Sequence, residues 1–439
     1  MRFRISPKAV AGKIGAAVLA TSLCLTFTAN MTFAGSIERI SVDSGNIQFN
    51  TISPFHQTLS NNGRYVAFNA SLTGEPYNYI NIFLRDRATG TTELVSIGNN
   101  GNKNASTNIG TIDVSDNGRY VVFLSKGLDG SIGYIDAYVR DRATGTTELI
   151  SINNDGSLGT ANKSASGVSI SGDGRYVAFV SNSEDLVSND NNGMPDVFVR
   201  DRVNGTTQRI SIASDGTQAD GNSGDGYPGT NISADGRYIV FNSSANSLLE
   251  NGSNDTLGLF IHDRVTGSTE SLNIASQNSW FDLSSNGRYV AFSSAESDLV
   301  ANDSNGQADI FVRDRVMNTT ELASITHDGT QTNAISMYPS ISADGRYVGF
   351  VSMASNLVAG GIPQGIATFV RDRVANTTEM IDDLHDGSIA NSFSFNNSAI
   401  SADGRYMTFT TSASNLTIGD TNNGIDVFLH DRISSQVCQ

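Results

Sequence analysis

The sequence predicts an all-β fold: a seven-bladed β-propeller of four-stranded antiparallel blades, closed by the N-terminal strand completing the last blade. Three observations predict it. Gly-Arg-Tyr recurs seven times, starting at Gly63, Gly118, Gly174, Gly236, Gly287, Gly345 and Gly404, at spacings of 55, 56, 62, 51, 58 and 59 residues. Asp-Arg follows each copy, at Asp86, Asp141, Asp201, Asp263, Asp314, Asp372 and Asp431. Between the landmarks lie short alternating runs rich in β-branched and aromatic residues, punctuated by Asn-Gly and Asp-Gly, with no 3.6-residue apolar period. Self-similarity at such a period marks a repeat architecture, because one small sheet buries its faces only against its neighbours.

Each repeat supplies four strands. Strand a ends in an aliphatic-Ser pair: Leu59-Ser60, Val114-Ser115, Ile170-Ser171, Ile232-Ser233, Leu283-Ser284, Ile341-Ser342 and Ile400-Ser401. Strand b runs from the tyrosine to a phenylalanine, as in Tyr65-Val66-Ala67-Phe68. Strand c closes on Asp-Arg, as in Asp196-Val197-Phe198-Val199-Arg200. Strand d follows a Gly/Asn/Thr turn, as in Thr91-Thr92-Glu93-Leu94. The seventh repeat stops after strand c, whereas Ile37-Glu38-Arg39-Ile40-Ser41-Val42 matches the strand d pattern. The first strand therefore closes the ring and removes two open edges. Uniform repetition makes the motif residues structural: glycine for positive φ, Asp for turn capping, Arg for pairing between strands or blades.

The N-terminus reads as a signal peptide over residues 1–34. Arg2, Arg4, Lys8 and Lys13 precede an apolar stretch from Ile14 to Phe27, and Thr32-Phe33-Ala34 offers small residues before Gly35. The stretch is short for a membrane anchor and is broken by Thr21, Ser22 and Thr26. The expected product, residues 35–439, is one propeller domain exported to the periplasm or the extracellular space, without a transmembrane segment and monomeric. Cleavage removes Cys24 and leaves Cys438, so no intrachain disulfide is expected.

Aliphatic-Ser-x-Asp-Gly-Arg-Tyr followed by Asp-Val-Phe-Val-Arg-Asp-Arg resembles the WD40-like (PD40, TolB-type) propeller repeat of bacterial envelope proteins. Ala343-Asp344-Gly345-Arg346 corresponds to that family's Pro-Asp-Gly-Lys/Arg turn, with Ala in place of Pro. The resemblance covers nearly all of the chain after residue 34 and implies a propeller of the cell envelope. TolB itself carries an α/β domain before six blades, and this sequence shows neither feature.

The net charge is −16, with a sequence pI near 4.6. That argues against a nucleic-acid partner. After residue 34, the two Arg motifs, the Arg before Asp-Arg and their accompanying acids hold 19 cations and 16 acids. Five cations and 28 acids remain for everything else. Because strands alternate in direction, the a–b and c–d turns share one end of the propeller and the b–c and d–a connections share the other. Much of the excess acid is expected at the second end, as a face suited to cations or basic partners or, alternatively, as solvated acid for solubility.

Two candidate sites lie at that end. The b–c loops Asp190-Asn191-Asn192-Gly193-Met194-Pro195-Asp196, Asp303-Ser304-Asn305-Gly306-Gln307-Ala308-Asp309 and Asp420-Thr421-Asn422-Asn423-Gly424-Ile425-Asp426 each place two carboxylates six apart around an Asn and a Gly. Such hard oxygens could surround Ca²⁺, with Asp190, Asn192, Asp196, Asp303, Asn305, Asp309, Asp420, Asn422 and Asp426 as ligands; Asx turns launching strand c are the structural alternative. Aligning the repeats also sets His56, Thr111, Gly167, Gly229, Trp280, Tyr338 and Asn397 at one level early in strand a. These form a channel mouth at which His56, Trp280, Tyr338 and Asn397 are the binding candidates, with Trp280 either an anchor or a plug.

The sequence contains no Gly-x-Ser-x-Gly, His-Glu-x-x-His, Cys-x-x-Cys or P-loop. His262 and His430 occupy the slot held by Arg in other blades. The leading expectation is a non-catalytic exported binding or scaffold protein whose acidic loops face a protein or cell-surface polysaccharide, assisted by calcium. The alternatives are a glycoside hydrolase or lyase using carboxylates at the channel mouth and a TolB-like component of envelope integrity.

Overall fold

Gly-Arg-Tyr opens a strand and Asp-Arg closes its antiparallel neighbour, so pairing brings the two motifs face to face. In the computed structural model, which describes residues 35–49, 52–71, 80–103, 111–128, 134–157, 164–249, 258–275, 280–301, 303–358, 361–362, 365–383, 389–395, 397–422 and 424–432, this register recurs in every blade. The predicted signal segment 1–34 lies outside the described residues, as do His385, Asn423 and Cys438.

The described residues form 28 strands in seven four-stranded antiparallel sheets, without helices. Blades 1 to 6 span 52–94, 112–149, 165–209, 230–275, 281–322 and 336–380. Blade 7 is Ala399–Ile400, Tyr406–Thr411, Asp426–Asp431 and, on its outer edge, Ser36–Arg39. Ser36 lies opposite Asp431 and Arg39 opposite Phe428. The predicted closure by the N-terminal strand is therefore present.

Aromatic pairs fill the blade cores. The phenylalanine of strand b faces an aromatic of strand c, with ring centroids 5.6–6.0 Å apart in all seven blades. Phe68, Phe179, Phe198, Phe241, Phe260 and Phe292 are among the largest fully buried side chains. Truncating one to Ala costs roughly 3–5 kcal/mol through lost transfer energy and the cavity left behind.

The charged motifs close each blade. In blade 3 Arg175 Nε and Nη2 meet the two oxygens of Asp201 at 3.0 and 2.7 Å. The same two-toothed fork joins Arg64 to Asp86, Arg119 to Asp141, Arg237 to Asp263, Arg288 to Asp314, Arg346 to Asp372 and Arg405 to Asp431. The turn between strands a and b explains the rest of its motif: Tyr176 N–H donates to Ser171 Oγ, and both Ser171 Oγ–H and Arg175 N–H donate to Asp173 Oδ1. His262 and His430 do take over the arginine slot. His262 Nδ1 meets Thr269 Oγ1 at 2.8 Å, as Arg200 Nη1 meets Thr207 Oγ1 at 3.0 Å. His430 Nδ1 meets the Ile381 carbonyl at 2.7 Å.

A second set of contacts joins blade to blade. The Tyr120 ring of blade 2 lies between its own Arg119, 4.8 Å from the ring centroid, and Arg202 of blade 3, at 4.4 Å. Arg202 also pairs with Glu148 of blade 2 at 2.8 Å and donates to the Gly174 carbonyl of its own blade at 2.6 Å. Gly174 has φ +75°, and a Cβ there would stand 2.1 Å from Tyr120 Cδ2. Glycine is required twice over, by backbone conformation and by the neighbouring ring. Blades 7 and 1 meet in the same way: Arg87 stacks on Tyr406 at 4.6 Å and pairs with Glu38 of the N-terminal strand at 2.8 Å.

The Arg fork holds the Asp141 and Asp201 carboxyls at about 2, below their usual 3.8. A carboxyl depressed by folding adds stability above its unfolded value that is lost as pH falls through the folded one. Asp201→Asn is therefore expected to cost about 1–2 kcal/mol at pH 6. The difference from wild type should shrink as pH falls from about 4 to 2, which denaturant unfolding across that range measures.

Candidate functional site

Strand a is the innermost strand of every blade, so its side chains build the channel wall. The residue before the aliphatic-Ser pair is Thr58, Asp113, Ser169, Asn231, Asp282, Ser340 or Ala399. All seven line one cavity of about 190 Å³.

Two of the seven are carboxylates that reach to the next blade. Asp113 Oδ2 accepts from Ser169 Oγ and Ile170 N of blade 3, both at 2.9 Å, and its Oδ1 accepts from Val114 N at 2.8 Å. Asp282 Oδ2 accepts from Ile341 N of blade 6 at 2.9 Å, while Oδ1 accepts from Leu283 N and from Asn231 Nδ2 of blade 4. Burial outweighs these hydrogen bonds, which favour the charged form. It pushes Asp113 up to about 6 and Asp282 to about 7, and the Asp113 charge adds to the rise at Asp282.

Asn61, Asp116, Gly172, Ala234 and Ser285 of the a–b turns line one end of the cavity. There the backbone passes hydrogen bonds from blade to blade, Asp116 N to Gly172 O, Gly172 N to Ala234 O, Ala234 N to Ser285 O and Ala402 N to Asn61 O, each 2.9–3.0 Å. Asn61 Nδ2 donates to Asp116 Oδ1 at 2.5 Å.

At the opposite end an aromatic side chain reaches across the cavity. Tyr227, from the connection leading into blade 4, sends its hydroxyl to blade 7, where Asn397 Nδ2 donates to it at 3.2 Å. Its ring lies 5.3 Å from His56 of blade 1. Gly224, Gly226 and Gly229 have φ of +75°, +93° and +82°, conformations that let this segment turn into the channel. Burial raises the Tyr227 phenol, with Asp282 adding to it, and lowers His56 to about 4.

The four mouth candidates are thus brought together, His56 and Asn397 on Tyr227, and Trp280 against Tyr338 with centroids 4.3 Å apart. Tyr338 and Asn397 both adopt positive φ, 56° and 75°. Tyr227 reaches from the connection into blade 4 to His56 of blade 1 and Asn397 of blade 7. Its signal was the longest repeat spacing, 62 residues, and the run Gly221-Asn222-Ser223-Gly224-Asp225-Gly226-Tyr227-Pro228-Gly229 within it.

In the three b–c loops the Asn side chains are oriented by the backbone. Asn192 Oδ1 accepts from Met194 N, Asn305 Oδ1 from Gln307 N and Asn422 Oδ1 from Gly424 N, at 2.7–2.9 Å, which are Asx turns. The amide nitrogens of Asn192 and Asn305 consequently face Asp196 Oδ2 and Asp309 Oδ2, at 2.9 and 2.7 Å. A glutamine from the following d–a connection joins each loop: Gln218 donates to Asp190 Oδ1, Gln331 to Asp303 Oδ1 and Gln48 to Asp420 Oδ1. Among the described residues, no group of three or more His, Cys, Asp or Glu side chains converges on one point.

No family model matches the sequence, and no curated protein matches it. Solved structures do share the architecture. An oligogalacturonate lyase in complex with manganese aligns at TM-score 0.52 and 12% identity, covering 90% of this chain and 92% of that one. The β-propeller domain of the trilobed protease from Pyrococcus furiosus aligns at 0.50 and 10%, covering 87% and 93%. A TolB-type protein from Agrobacterium tumefaciens aligns at 0.40 and 16%, covering 72% and 89%. At such identities the likeness is one of fold: the chain is a β-propeller.

Because the Asp282 carboxyl titrates near 7 in the fold against its usual 3.8, its contribution to stability is fully present below about pH 4 and lost as pH rises through 7. Asp282→Asn removes that titration. The advantage of wild type over the variant is expected to shrink by more than about 1 kcal/mol between pH 5 and pH 8, read from denaturant midpoints.

Proposed function

We propose that the chain is an exported, non-catalytic binding propeller that engages a basic protein surface through its b–c and d–a loop end. The observation that carries this reading is the segregation of charge. The arginines of both repeated motifs are committed to forks and stacks at the a–b and c–d end. At the other end Asp155, Glu184, Asp215, Asp298 and Asp328 are exposed. The described cations there are Lys103 and Lys126, with Arg39 and Arg209 each paired to a loop aspartate. Phe393 and Met353, 51% and 45% exposed on loops of the same end, supply apolar anchors. The commitment of Asp113 and Asp282 to neighbouring blades supports binding over turnover at the mouth.

Asp155, Asp215 and Asp328 sit in turns that asparagine can also form, so replacing all three removes charge without removing the turns. Binding of oligolysine, followed by titration calorimetry, is expected to weaken about tenfold in the triple Asp→Asn variant and to fall with added salt. Glu93→Gln, at the opposite end, should leave it unchanged. Tighter binding of a neutral polysaccharide than of oligolysine would replace the basic partner with a glycan.

One observation favours a second reading, glycan cleavage at the mouth: Asp113 and Asp282 face one cavity beside Trp280 and Tyr338. That reading expects cleavage of an oligosaccharide that Asp282→Asn reduces by 100-fold or more, on the order of a general acid's contribution. Reducing-end assays over an oligosaccharide panel check it.

A further inference from the structure

The Asp-Asn-Asp loop is built three times, and two of the copies carry their own counter-charge. In blade 3 Arg209 Nη1 lies 3.3 Å from Asp190 Oδ1, and in blade 7 Arg39 Nη2 lies 3.2 Å from Asp420 Oδ2. The paired side chains are 10% or less exposed. Arg209 and Arg39 hold the same place on strand d, opposite Phe198 and Phe428 of strand c. At that register blade 5 has Leu322, opposite Phe311. Blades 1, 2, 4 and 6, which lack the Asp pair, have Leu94, Leu149, Ser271 and Met380 there. Arginine thus occupies this position only where the loop beside it carries two carboxylates, and blade 5 alone has the carboxylates without the arginine.

The blade 5 pair is as enclosed as the others. Asp303 is 9% exposed and Asp309 fully buried. Gln331 Nε2 touches both, 2.6 Å from Asp303 Oδ1 and 3.2 Å from Asp309 Oδ2, so the carboxylates lie side by side. Asp309 is well supplied with donors: Ser324 Oγ and Thr332 Oγ1 on Oδ1, and Asn305 Nδ2 on Oδ2. Asp303 Oδ2 is buried without a hydrogen-bond partner. Among the described residues no Lys, Arg or His forms an ion pair with either carboxylate. In blade 7 Asp426 Oδ2 is also without a hydrogen-bond partner, but it lies in the favourable field of Arg39. Two adjacent buried carboxylates need a compensating positive charge, and an oxygen-only ligand set on a loop bent at Gly306 suits a large hard cation better than one demanding a rigid octahedron.

We propose that the Asp303–Asp309 pair of blade 5 binds one divalent cation of calcium type, which supplies the charge that Arg209 and Arg39 supply in blades 3 and 7. The inference is independent of the partner proposed above.

The test uses the purified chain after chelator treatment. Native mass spectrometry with CaCl₂ is expected to show one calcium per chain, and 1 mM CaCl₂ to raise Tm by about 2 °C or more, with a smaller rise in MgCl₂. Asp303→Asn should lose both the bound ion and the rise. Leu322→Arg installs the built-in cation, so it should fold, melt at or above the metal-free wild type and no longer respond to calcium. No bound calcium, three per chain, or a rise retained in Asp303→Asn or in a folded Leu322→Arg would overturn the proposal.

Discussion

The structure depends on one tyrosine per blade, held between two guanidinium groups. Each ring is stacked by the arginine beside it in sequence and by the Asp-Arg arginine of the next blade, at 4.1–5.0 Å over the seven copies. A cation over an aromatic face is worth about 0.5–2 kcal/mol, and every blade boundary has two. The ring also fills the space where a Cβ of the next blade's glycine would stand. Rotation of one blade against its neighbour would strand a tyrosine and two arginines together with a glutamate, or with Gln208 between blades 3 and 4. The contact fixes the angle between blades, and through it the width of the channel.

What remains free under that constraint is the inner wall and the loop end. The frame repeats almost without variation, yet the residues facing the channel differ from blade to blade. Asp113 and Asp282 do structural work of a second kind, tying strand a to the adjacent blades through backbone amides. Their environments differ from those of the clamp aspartates in two respects: burial weighs more heavily on them, and no guanidinium lies beside them. The same residue type is therefore strongly acidic at the rim of the blades and weakly acidic in the channel, because burial is heavier in the channel and only the rim has a cation.

Much of this was legible in the sequence, for a physical reason. Gly-Arg-Tyr, Asp-Arg and the aliphatic-Ser pair meet the same surroundings in every blade, so selection of residue type leaves a visible period. Blade number, strand order, closure by residues 36–39 and the substitution of Arg by His262 and His430 all follow from that period. Tyr227 was hidden because it comes from an insertion that belongs to no repeat. Asp113 and Asp282 were hidden because their position carries Thr, Asp, Ser, Asn, Asp, Ser and Ala in turn. The three Asp-Asn-Asp loops were visible, but the direction of their amides was not: Gln218, Gln331 and Gln48 arrive from the next connection, and only the fold shows which oxygens they occupy.

Placing Ser36–Arg39 beside Asp426–Asp431 has a kinetic consequence. The earliest part of the wheel to be synthesised cannot find its partner until the final blade exists. Six blades can assemble in order while the leading segment waits, and the ring locks only when the two extremities meet. Sequence separations of this size make the last step slow, and a chain stopped short would keep an unsatisfied ribbon at each flank, ready to zip onto a sister molecule. Locking by residues 36–39 thus gives the seventh blade the same four strands as the other six.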